Sequence, residues 1–133
     1  MSLFLFGCSE RDLTFQIQYE KLHGLKTGSL IYFQGNKIGQ VQKTSYRSQG
    51  DYLVDVRLKF DFKNAATINS KFYISDDPVI AKSKAIVVEQ QQAGGAVIEK
   101  GAIVHGSVKE KEKVLQNVFS GIAQSIEIAG GVN

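Results

Sequence analysis

From Tyr52 to Phe60 the chain alternates with period two. Tyr52, Val54, Val56, Leu58 and Phe60 fall on one side, and Asp55, Arg57 and Lys59 on the other. Such a run buries one face as a strand, whereas a helix would scatter its apolar residues around the axis. Residues 14–19 repeat the pattern, with Phe15, Ile17 and Tyr19 facing one way. Residues 30–33, 38–46, 72–74 and 85–88 read as further strands, and 96–98 and 102–104 as short ones. Between them stand turns: Gln34-Gly35-Asn36-Lys37, Ser48-Gln49-Gly50-Asp51, Ala93-Gly94-Gly95 and Glu99-Lys100-Gly101. Strands this short, spaced roughly 8–12 residues apart, predict a small all-β barrel or sandwich. No helical period is legible before Ser107.

Composition narrows the function classes. With 133 residues there is room for one ordinary domain. The net charge of +3 is too small to point to nucleic acid by itself. One Cys excludes an internal disulfide, and with two His it leaves no zinc cluster. No P-loop or dinucleotide fingerprint follows any strand. His23 and His105 stand apart beside glycine turns, Cys8 has no neighbouring base, and Asp76-Asp77 precedes Pro78 as loop acids commonly do. These residues read as structural, so we expect no enzyme, no metal and no cofactor. Lys37, Lys43, Arg47, Arg57, Lys59 and Lys63, interleaved with Tyr32, Phe33, Tyr46 and Tyr52, form the pattern of an OB-like nucleic-acid face. An ordinary solvated face accounts for the charges better, because Arg57 and Lys59 share theirs with Asp55, and the aromatics alternate towards the core.

The two ends differ from the middle. Residues 1–11 begin MSLFLFGC, an apolar run too short to span a bilayer and without the basic start of a signal peptide. We read it as the stump of a membrane anchor or signal, with Cys8 either a lipidation site or part of a truncated helix. Residues 12–106 hold the strands. In 107–133, Leu115, Phe119, Ile122 and Ile126 step by four, three and four, the seam of an amphipathic C-terminal helix that packs on the barrel, on copies of itself or on a membrane.

One loop stands out. Asp76-Asp77-Pro78-Val79-Ile80-Ala81-Lys82-Ser83-Lys84 joins two strands, with an apolar middle bounded by charge. Val79 and Ile80 at its tip either fold back into the core, the commoner fate of an isolated pair, or meet a ligand or another subunit.

The glycine spacing then becomes recognisable. Gly24-Leu25-Lys26-Thr27-Gly28-Ser29 resembles the opening motif of the mammalian-cell-entry (MCE) domain, G-L-x-x-G-[ST]. Ile31-Tyr32-Phe33-Gln34-Gly35-Asn36-Lys37-Ile38-Gly39-Gln40-Val41 is similar to that family's V-x-[YF]-x-G-x-x-[IV]-G-x-V. Ile98-Glu99-Lys100-Gly101-Ala102-Ile103-Val104-His105-Gly106 resembles its closing strand-turn-strand. The resemblance implies a seven-stranded β-barrel of a bacterial ABC-type lipid transport system, periplasmic and held to the inner membrane by an N-terminal helix. It implies a homohexameric ring with a hydrophobic pore, working with a permease and an ATPase on phospholipid or another hydrophobic molecule. By position the family's pore loop falls on Pro78, Val79, Ile80 and Ala81. There the family commonly has a glycine after its apolar pair, where this chain has Ala81-Lys82. Gly24, Gly28, Gly35, Gly39 and Gly101 are the expected structural glycines, placed where positive φ or close backbone approach is needed. Alternatives from other classes are a scaffold module that docks on a transporter without touching lipid, and the OB-like nucleic-acid binder.

Overall fold

The computed structural model describes residues 11–108. Except for Arg11, residues 1–11, where an anchor or signal stump is expected, lie outside the described residues, as do Leu115, Phe119, Ile122 and Ile126 of the expected helical seam. The described chain forms seven strands: β1 (Leu13–Tyr19), β2 (Leu30–Phe33), β3 (Asn36–Tyr46), β4 (Tyr52–Leu58), β5 (Ser70–Asp76), β6 (Lys84–Gln90) and β7 (Ile103–His105). They make one sheet in the order β5-β6-β2-β3-β4-β1-β7.

The sheet curls until its edges approach. The Ser107 amide donates to the Phe72 carbonyl at 3.0 Å, and an isolated parallel bridge joins Ser107 to Tyr73 on β5. Pairing therefore runs one residue past 106, where the sequence suggested a helix start. Beneath this seam the Tyr19 hydroxyl donates to the same Phe72 carbonyl at 2.9 Å. Burial holds this phenol in its neutral form, raising its pKa far above the ordinary value.

The alternating segments supply the interior. Phe15, Ile17 and Tyr19 from β1 meet Val54, Val56 and Leu58 from β4, paired in register from Leu13↔Leu58 to Tyr19↔Tyr52. Ile31, Ile38, Val41, Phe72, Ile86 and Val88 complete the core. Fully burying such a side chain contributes about 1.5–3 kcal/mol, so this face dominates stability.

Two local expectations are corrected. Phe60 does not extend the alternating strand, because a 3-10 helix occupies Phe60–Ala65. The Phe60 amide donates to Asp12 Oδ1 at 3.1 Å, and Arg11 and Lys63 both stand over its ring. Residues 96–98 form no strand of their own: Val97 makes only an isolated bridge with Thr67, and the Ile98 amide donates to Ala66 at 2.9 Å.

Strand directions give the barrel two distinct ends. β1 antiparallel to β4, β4 to β3 and β3 to β2, together with β6 parallel to β2 and β7 parallel to β1, make the chain cross the barrel in alternate directions. Residues 20–29, 47–51 and 77–83 and the exit after β7 therefore share one end. The entry to β1, the Gln34-Gly35 turn, the 3-10 helix and residues 91–102 share the other.

Candidate ligand-contact loop

The β5–β6 loop, residues 77–83, is built around one carboxylate. Asp77 follows β5 with its side chain turned to the outer face of the sheet, where it is buried. Pro78 has no N–H to offer, so the first amides within reach are the next two. Val79 and Ile80 both donate to Asp77 Oδ1, at 2.7 and 2.8 Å, and the Tyr32 hydroxyl donates to the same oxygen at 2.9 Å. The Asp77 amide donates to the Ser83 carbonyl at 2.8 Å and closes the neck. Below it, Lys84 Nζ donates to Asp76 Oδ1 at 2.7 Å. Asp76-Asp77 is thus a turn-forming pair.

Burial alone would raise the Asp77 carboxyl, but the amides of Ile80 and Val79 and the Tyr32 hydroxyl outweigh it and hold the group below the usual carboxylate range. Burial, the bond to Asp77 and that carboxylate's charge push the Tyr32 phenol up. Lys84, through its hydrogen bond and its charge, holds Asp76 down.

With the backbone tied back to the outer face of the sheet, the apolar tip stays exposed. Val79 is 76% exposed and Ile80 47%, and Pro78 and Ala81 are exposed beside them. The commoner fate, folding back, is not what this loop does. Its anchor is the Asp77 carboxylate, held by Tyr32 on the outer face of the sheet, so Val79 and Ile80 lie outside the core. Val108, 66% exposed, leaves the barrel at the same end.

Gly24, Gly28, Gly35 and Gly101 all have positive φ, between 81° and 98°. A Cβ at Gly24 would stand 3.4 Å from Lys84 Cγ, at the start of β6. Gly39 has no positive φ. It lies where β3 passes the Arg57 carbonyl so closely that a Cβ would collide with backbone.

The sequence missed Tyr32. Alternation towards the core predicts its burial, and Tyr32 is buried, but on the outer face of β2, where it ties the loop to the sheet. The available signal was parity: Tyr32 faces opposite to Ile31, on the side that Asp77 also takes. The remaining members of the nucleic-acid pattern are largely engaged within the protein. Arg47 binds Asp51 in a fork at 2.7 and 2.8 Å, Arg57 lies 3.7 Å from Asp12, and Lys43 stands opposite Asp55. Tyr46 and Tyr52 meet in a tilted ring contact, with centroids 4.9 Å apart. Among the described residues no cluster of His, Cys, Asp or Glu has the arrangement of a metal site.

No protein-family model matches the chain, and no curated protein matches it. Among solved structures, its fold is similar to that of a chain in the Acinetobacter MlaFEDB complex, solved in an ATP-bound conformation. The TM-score is 0.62 over 86% of this chain and 85% of that chain, at 11% sequence identity. Likeness at that identity is one of fold, and it agrees with the curled seven-stranded sheet expected from the glycine motifs.

Proposed function

We propose that this chain is a non-enzymatic, lipid-binding subunit of an ABC-type transport system, whose copies form a ring with Pro78, Val79, Ile80 and Ala81 around its pore. The observation that carries the reading is the held exposure of Val79 and Ile80. A loop that spends a buried carboxylate to fix two amides, and so displays two branched apolar side chains, is organised for contact with something apolar. The solved chain of similar fold belongs to an ATP-bound assembly, which supports an ATP-driven partner.

The mechanism follows from solvation. Each CH₂ of an acyl chain held in water costs about 0.8 kcal/mol, so a lipid crosses an aqueous compartment along an apolar path. The barrel interior is filled by its own side chains, among them Ile17, Ile31, Ile38, Leu58 and Phe72, so that path runs between copies. A ring of 77–83 loops provides the lining without any covalent step. The seam at Leu115, Phe119, Ile122 and Ile126 extends the lining by bundling between copies. Permease and ATPase subunits give direction, and an N-terminal anchor holds the ring to the inner membrane on its periplasmic side.

The test is photocrosslinking from a photoreactive residue at position 81 in membranes. Lipid adducts are expected in the parent chain and are expected to vanish in V79N/I80N while the barrel keeps its circular dichroism. A ring that forms but yields no lipid adduct would establish the scaffold reading instead.

A further inference from the structure

The apolar tip of the loop is followed at once by charge, and that charge can be accounted for residue by residue. Of the acids at the loop, Asp77 has one oxygen filled by three donors, and Asp76 is paired with Lys84. Lys82 is exposed and makes no ion pair or hydrogen bond among the described residues. The loop as a whole is neutral, but its charges are separated: the Asp77 carboxylate is buried under three neutral donors, and the Lys82 ammonium stands exposed beside Val79 and Ile80.

Lys82 also sits where a lysine is out of place. Its φ is +62°, in the left-handed region that glycine or asparagine enters more readily than a long side chain.

Building on the lipid-contact reading, we infer that Lys82 makes this loop selective for amphiphiles with an anionic headgroup. Val79 and Ile80 take the acyl chain and the Lys82 ammonium takes the acidic head. The side chain reaches about 6 Å from its Cα, which spans the step from hydrocarbon to headgroup along a single ligand. The attraction is that of an exposed charge pair, modest for one copy and weakened by salt.

The experiment uses the full chain and two photoreactive probes with the same acyl chain, one a fatty acid and the other a lysophosphocholine. At low salt the fatty acid is expected to label residues 78–82 about threefold more than the zwitterion. In K82Q the two are expected to label equally, and in K82E the order reverses. K82G guards against a folding explanation, because glycine suits the backbone there: it should keep the melting temperature and still lose the preference. Equal labelling in the parent chain, or a preference that survives in K82Q or K82G, overturns the role of Lys82 and leaves the lipid reading standing. Failure of both probes to label the loop overturns the lipid reading itself.

Discussion

At Gly39, β3 runs so close to the Arg57 carbonyl of β4 that no side chain fits, although the backbone there is ordinary. Gly39→Ala must push two paired strands apart. We expect a loss of about 1–3 kcal/mol, measured by urea unfolding with an unchanged m-value. Asp77 governs the loop rather than the core. In Asp77→Ala, hydrogen exchange of the Val79 and Ile80 amides should become fast while amides of β1 and β4 stay protected. Acid is expected to act through the same groups. Hydrogen bonds and charge from Arg47, helped by Gln18, hold Asp51 below the ordinary carboxylate range, and Asp76 and Asp77 are held there too. A depressed folded pKa stabilises the protein fully above the unfolded value of about 3.9 and loses that contribution as pH falls through the folded value. Melting temperature should therefore be level near neutrality and drop below about pH 4, with a shallower drop in D51N.

Among the elements, the β2–β3 hairpin turns on Gln34 and Gly35, both at positive φ (52° and 81°), the backbone of a two-residue type I′ turn. Asparagine takes the first position more easily than glutamine, so Gln34→Asn should raise unfolding free energy by a few tenths of a kcal/mol, about 0.3–1, in denaturant titrations. The strands themselves were legible because burying one face demands alternation, and β1 and β4 carry it without interruption. The 3-10 helix at Phe60–Ala65 was not, since two turns are too short for a period to be read and Phe60 falls in phase with the strand before it. Val97 was misread because a short apolar run looks alike whether it joins a sheet or makes one bridge. In the loop, the apolar tip and its charged neighbours were visible. Its anchor was not, because Tyr32 and Asp77 are 45 residues apart and only strand order brings them together.

For the whole molecule, the filled interior puts the proposed lipid path between copies rather than through one barrel. Native mass spectrometry of the detergent-extracted chain is expected to give a homohexamer with lipid bound, and V79N/I80N to keep the oligomer while losing the lipid. Seven crossings have a further consequence. An odd number of strands delivers the chain to the end opposite the one it entered, so the barrel is a spacer. A seven-residue strand such as β1 is roughly 23 Å long at about 3.3 Å per residue, and the usual barrel tilt of about 35–45° reduces the end-to-end separation to roughly 16–19 Å. Whatever is tethered before Leu13 is kept about that far from the 77–83 loop and from whatever follows Val108. Seven rigidly paired strands do not stretch, so the barrel sets a standoff that a flexible linker of equal reach would let fluctuate.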